Sequence, residues 1–132
     1  MVDIGTPAEA RVLIIDDSSL VRLYYRSALE KAGFEVEQAI NGIEAMERAL
    51  SQPFDLVIVD VNMPRMDGFT FVRALRRVAT DVASLPALMI STEAEMQDIA
   101  AGRAAGANFY LVKPVAEAEL VRHVCVLTGA AS

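Results

Sequence analysis

Val12-Leu13-Ile14-Ile15-Asp16-Asp17-Ser18-Ser19 is the stretch that decides the fold. Its four apolar residues are too few for a buried helix and leave no polar face. They read as a strand covered on both sides, cut off abruptly by two acids. The pattern returns three times: Leu56–Val59 runs into Asp60, Ala87–Ile90 into Ser91 and Thr92, and Phe109–Val112 into Lys113 and Pro114. A fifth segment, Phe34–Ala39, alternates in part between apolar and acidic residues, as a half-exposed edge strand does.

Between these runs the period becomes helical. Val21, Tyr24, Tyr25, Ala28, Leu29 and Ala32 follow the spacing of one helix face, and Gly33 stands where a helix ends. Ile43, Met46, Ala49 and Leu50 form a second stripe closed by Pro53. Phe71, Val72, Leu75, Val78 and Ala79 form a third, with Arg76 and Arg77 near its C-terminus. Glu95–Ala105 holds helix formers with a poor stripe, and Leu120, Val121, Val124 and Leu127 make the last helix. Five strands alternating with five helices predict an α/β fold: a parallel sheet with right-handed crossovers and helices on both faces.

With 132 residues, 54% hydrophobic and 23% charged, the chain suits one domain and is too apolar to be disordered. The domain is expected over 11–128, with a flexible tail at 1–10, a frayed end at 129–132 and no linker to an output domain. Twelve Lys and Arg against 18 Asp and Glu give a net charge of −6, the wrong sign for a nucleic-acid partner. No apolar run reaches the roughly 18 residues of a membrane span, no export signal opens the chain, and the lone Cys125 fits a reducing compartment. These features predict a cytoplasmic protein with no membrane partner, and the chain is expected to be a monomer.

In such a sheet, ligands bind beyond the carboxyl ends of the strands. Asp16, Asp17, Asp60, Ser91 and Lys113 all follow strand runs, so one rim collects three carboxylates, a hydroxyl and an ammonium. Each alone has a local explanation: Asp16-Asp17-Ser18-Ser19 caps a helix, Asp60 opens a turn, Ser91 or Thr92 caps the fourth helix. Four such coincidences at four strand ends are much less economical than one site. Two like charges about 4 Å apart repel by roughly 4 kcal/mol at an effective dielectric near 20, so clustered carboxylates take up a proton or recruit a cation. An all-oxygen site suits Mg²⁺ or Mn²⁺, and carboxylate, metal, Lys and hydroxyl together suit phosphoryl transfer to an Asp nucleophile.

LIIDDSS, VDVNMPRMDG, LMISTEA and YLVKP, in this order and spacing, resemble the receiver domain of two-component response regulators over residues 10 to 128. The chain looks most like the single-domain, CheY-like receivers of chemotaxis. The resemblance implies a flavodoxin-like (βα)5 sheet of strand order 2-1-3-4-5. It implies that Asp60 accepts a phosphoryl group from a histidine kinase or histidine phosphotransfer protein, by a reaction the domain itself catalyses and reverses; it is not otherwise an enzyme. It further implies Asp17 as a direct Mg²⁺ ligand, Asp16 through a coordinated water, and Asn62 through its backbone carbonyl. Lys113 would contact the phosphoryl group beside a cis bond to Pro114. Ser91 would be the switch hydroxyl, with Thr92 its neighbouring competitor, and Tyr110 the aromatic that follows the switch. Asn62 and Glu93 match the positions that tune dephosphorylation. A surface of the fourth helix, fifth strand and fifth helix would signal to an output protein, in chemotaxis the flagellar motor switch, although the Ala- and Gly-rich fourth helix matches no motor-binding surface.

Other readings remain: a phosphorelay intermediate or phosphate sink, an aspartate-nucleophile phosphatase, and an FMN carrier. The phosphatase wants a second Asp where Asn62 stands, and Asp16 and Asp17 would repel an FMN phosphate. His123 and Cys125 have no ligand cluster and read as structural. Arg73, Arg76 and Arg77 read as a solvated helix face, and Tyr24 and Tyr25 as part of a buried stripe.

Overall fold

Every residue of the third and fourth strands is buried, which is why their sequences show no alternation. The computed structural model describes residues 10–63 and 65–130. Of the tail expected at 1–10 only Ala10 is described, and the last two residues of the end expected at 129–132 also lie outside the described residues. The order is β1 (Arg11–Ile15), α1 (Ser19–Lys31), β2 (Glu35–Ala39), α2 (Gly42–Ser51), β3 (Leu56–Asp60) and α3 (Gly68–Leu75). After a short 3-10 helix (Asp81–Ser84) come β4 (Ala87–Ser91), α4 (Met96–Ala105), β5 (Phe109–Val112) and α5 (Glu117–Thr128). The strands are all parallel in the order β2-β1-β3-β4-β5, the flavodoxin-like arrangement expected.

Side chains alternate across the sheet and build two cores. Leu13, Ile15, Val57, Val59 and Met89 meet Ala45, Ala49, Phe71, Val72 and Leu75 of α2 and α3. Val12, Ile14, Ile58, Leu88 and Ile90 meet Tyr25, Ala28, Leu29, Leu120 and Val124 of α1 and α5. Each fully buried aliphatic side chain contributes roughly 1.5–3 kcal/mol, so this double layer is the main source of stability. Among the described residues no helix is long and apolar enough to cross a membrane.

Local signals set the helix ends. The Ser18 and Asn41 side chains accept from the Val21 and Glu44 amides at 3.3 and 2.9 Å, capping α1 and α2. Asp67 caps α3 by accepting from the Thr70 amide at 2.8 Å. Helix α1 ends through Gly33, whose φ of 97° is left-handed. At the β2 edge, Arg11 faces Glu35 at 3.3 Å and Glu37 at 3.8 Å, and Arg48 faces Glu37 at 3.7 Å.

Four sequence expectations are corrected. The third helix stops at Leu75 instead of continuing through Val78 and Ala79, because Arg76 turns inward and the 3-10 helix occupies the long gap before β4. Arg76 is therefore not part of a solvated face. Its guanidinium donates to the carbonyls of Ala83 (2.9 Å), Leu85 (2.6 Å) and Gly106 (3.0 and 2.8 Å) and to Asn108 Oδ1 (3.0 Å). In α2, Ile43 and Leu50 are exposed, because the helix seats itself on the small residues Ala45 and Ala49. Tyr24 is 44% exposed, at the margin of the α1 stripe, and its hydroxyl donates to the Val115 carbonyl at 2.9 Å. His123 donates from Nδ1 to the Glu119 carbonyl at 2.8 Å and meets Phe109 edge-on.

Candidate functional site

The strand register brings the expected residues to one rim. Ile15 pairs with Val59, so Asp16 and Asp17 emerge beside Asp60; Asp60 pairs with Ile90, and Ser91 with Val112, so Ser91 and Lys113 follow on the same side. Asp16 and Asp60 are 2% and 6% exposed, whereas Asp17 is open to solvent. Local bonds fix Asp16: Oδ1 accepts from the Ser18 amide at 2.9 Å, and its carbonyl accepts from Arg22 Nη1 at 2.7 Å.

Asp16, Asp17 and Asp60 each offer a carboxylate oxygen, all within 4.8 Å of one another. Lys113 Nζ lies 3.3 Å from Asp60 Oδ1 and 3.4 Å from Asp16 Oδ2, an ammonium shared between two buried acids. At that separation each like-charge pair repels by about 3–4 kcal/mol at an effective dielectric near 20. Three carboxylates against one ammonium leave the site over-supplied with negative charge. Burial, the Asp16 charge and, to a smaller degree, Asp17 push Asp60 up to about 6, while Lys113 opposes them. Burial and the charges of Asp16 and Asp60 also raise the Tyr25 hydroxyl, which stays a neutral phenol. Hard oxygen donors, closely gathered and in excess of their counter-charge, are what a divalent cation with oxygen ligands requires.

Ser91 is fully buried, and its hydroxyl oxygen accepts from the Glu93 amide at 3.0 Å. Thr92, the competing hydroxyl, is exposed. The Tyr110 hydroxyl donates to the Glu93 carbonyl at 2.9 Å, so one peptide segment joins the two residues expected to move together. Asn62 and Glu93 both stand exposed on this rim. The Lys113–Pro114 bond is cis, as the resemblance implied.

Two contributors escaped the sequence reading. Gly68 packs so closely that a Cβ there would lie 2.5 Å from the Asp60 carbonyl oxygen and 2.9 Å from Val61 Cα. The Asp67-Gly68 pair signals a helix start but not this closeness. Tyr24 and Tyr25, with Leu20, Val21, Lys113 and Val115, line a groove of about 460 Å³ beside the rim, contacts that join α1 to a loop some ninety residues away.

The arrangement agrees with the comparisons to known proteins. A family model for the response regulator receiver domain matches residues 12–125. The transcriptional regulatory protein PrrA of Mycobacterium leprae is 43% identical over 117 residues, and that of Mycobacterium tuberculosis 42%; each match covers 89% of this chain and 49% of the relative. The chain thus spans about half the length of these relatives. Among solved structures, the chemotaxis protein CheY4 of Vibrio cholerae superposes with a TM-score of 0.83 at 39% identity, covering 89% of this chain and 98% of that one. The receiver domain of a signal transduction histidine kinase from Syntrophus aciditrophicus gives 0.84 at 29% identity, covering 91% and 90%. The chain belongs to the response regulator receiver domains of two-component systems, which accept phosphate from histidine kinases and pass the signal to output partners.

Proposed function

We propose that Asp60 is the phosphoacceptor and that Lys113, bridging Asp60 and Asp16, is the observation that carries this reading. A carboxylate oxygen of Asp60 attacks phosphorus of a phosphohistidine. The O–P bond forms, the P–N bond breaks, and the imidazole leaves and takes up a proton. Lys113 holds the transferred oxygens as a point charge, its ammonium already placed between Asp60 and Asp16. Asp17 directly, Asp16 through a water and the Asn62 backbone carbonyl, together with Asp60, would hold Mg²⁺ or Mn²⁺. The bound cation supplies charge neutralisation for the phosphoryl oxygens. The exposed side chains of Asn62 and Glu93 flank the approach of the water that later cleaves the acyl phosphate, and so set its lifetime.

Phosphorylation exchanges a monoanion for a group of roughly −2 charge with three acceptor oxygens. The Ser91 oxygen already accepts from Glu93, which leaves its proton free to donate to that group. Through Glu93 and Tyr110 the change reaches the surface of α4, β5 and α5. Shifting such a surface from 1:99 to 99:1 takes about 5.5 kcal/mol of differential stabilisation.

The site works in the cytoplasm in a monomeric receiver that signals in chemotaxis, with the flagellar motor switch as output partner; 39% identity to the chemotaxis protein CheY4 over 98% of that chain supports the chemotaxis part of this reading. Transcriptional control is the second reading, favoured by the 43% identity to PrrA. Intact mass after incubation with acetyl phosphate and Mg²⁺ tests the chemistry: one phosphoryl adduct that requires the metal and vanishes in Asp60→Asn is expected. No adduct, or one surviving in the variant, overturns it. Binding of the phosphorylated form to a motor-switch peptide separates the chemotaxis reading from a phosphorelay or phosphate-sink role, in which phosphate passes to a histidine phosphotransfer protein.

A further inference from the structure

Helix α4 is rich in alanine, the best helix former, yet places glycine at 102 in the middle of its buried side. Glycine there costs about 1 kcal/mol relative to alanine. The φ of Gly102 is not in the left-handed region, so conformational freedom does not explain it. Space does. A Cβ at Gly102 would lie 2.9 Å from Tyr110 Cδ2 and 3.1 Å from Met89 Sδ. The edge of the Tyr110 ring occupies the volume a side chain would take.

That seat has a consequence at the other end of the ring. With the ring in the notch, the Tyr110 hydroxyl reaches the Glu93 carbonyl at 2.9 Å, and the Glu93 amide donates to Ser91 at 3.0 Å. The thioether of Met89 can yield to an added methyl group. The ring is rigid and held at both ends, so it cannot shift without loosening its bond to Glu93.

We propose that Gly102 is a positioning residue of the switch: its missing Cβ makes the notch that seats the Tyr110 ring and so holds the Glu93 segment against Ser91. This rests on the reading of Ser91 and Tyr110 as the switch pair. Filling the notch then displaces the Tyr110 ring and loosens its bond to the Glu93 carbonyl.

The full chain contains three tyrosines, Tyr24, Tyr25 and Tyr110, so fluorotyrosine labelling gives a readable ¹⁹F spectrum, with Tyr110 assigned from Tyr110→Phe. Gly102→Ala is expected to shift the Tyr110 resonance well beyond the shift caused by the exposed control Ala101→Gly. An unchanged Tyr110 resonance overturns the proposal. The adduct mass with acetyl phosphate and Mg²⁺ is measured in parallel. If the parent forms no adduct, the phosphoacceptor reading fails, while the notch is still judged in the unphosphorylated spectrum. Should Gly102→Ala fold poorly, the melting temperature is compared in two backgrounds. With Tyr110 present the substitution should lower it; in Tyr110→Ala, where the seat is empty, the gain in helix propensity should raise it. The same sign in both backgrounds removes the notch from the account.

Discussion

The two ends of the sheet treat buried charge in opposite ways. At the carboxyl end, Asp16, Asp17 and Asp60 crowd together with Lys113 as their one ammonium, and the electrostatics are left unbalanced. At the amino end, Arg76 is half-buried and its donors are taken up by three carbonyls and an amide oxygen that tie α3 to the segments entering β4 and β5. Arg11 does the same on a smaller scale, donating its amide to Asp55 and its guanidinium to the Pro53 carbonyl at 2.8 and 3.0 Å. Saturated polar groups hold the scaffold; unsaturated ones keep a capacity to bind. The same backbone supports both because they lie at opposite strand ends.

The largest effect expected from breaking this contrast is kinetic. Lys113→Ala should slow adduct formation from acetyl phosphate by about 100-fold, the scale for removing one preorganised charge donor, with folding retained by circular dichroism. Arg76→Ala should do the reverse: a loss of about 3 kcal/mol in urea unfolding, from several buried carbonyls left without a donor, with adduct formation preserved in the folded fraction. Equal loss of both properties in either variant would erase the distinction between the ends.

Acidity sharpens the contrast. The folded state holds the Asp60 proton more tightly than the unfolded chain, about 6 against 3.8. Below about pH 4 both states are protonated and the group is neutral to stability. As pH rises through 4 to 6 a destabilisation accumulates, reaching about 3 kcal/mol above pH 6. Asp60→Asn should therefore melt higher than the parent in EDTA at pH 7.5, with the gain fading toward pH 4. Restoring Mg²⁺ should stabilise the parent and narrow the gap. The smallest effect is expected at Tyr24→Phe, where losing the hydroxyl bond to Val115 should cost about 1 kcal/mol by urea unfolding.

What the sequence disclosed follows the same division. Strands covered on both faces announce themselves as apolar runs, as does the half-open β5, and the polar residue ending each run is local information, so Asp16, Asp60, Ser91 and Lys113 are legible in the sequence as strand ends. Arg76 was not: a solvated arginine and one bound to carbonyls thirty residues away have identical neighbours in sequence. Tyr24 fell at the margin of its helical stripe, where period alone does not decide exposure. The link between Ser91 and Tyr110 runs through the backbone of Glu93, and a backbone group leaves no mark on the choice of residue. Gly102 and Gly68 were visible as glycines, but the atoms that forbid a side chain there come from other elements.

The ionic pairs along β2 have a consequence for how copies of this chain meet. Exposed ion pairs add at most about 1 kcal/mol each, so Arg11, Glu35, Glu37 and Arg48 contribute little to the fold. They do line one border of the sheet with alternating charge, which a foreign strand would have to strip of water before pairing. The other border, β5, carries Phe109 and Val112, both partly open and uncharged. The two borders therefore ask different things of any neighbour: β2 demands that paired charges give up their water, and β5 does not.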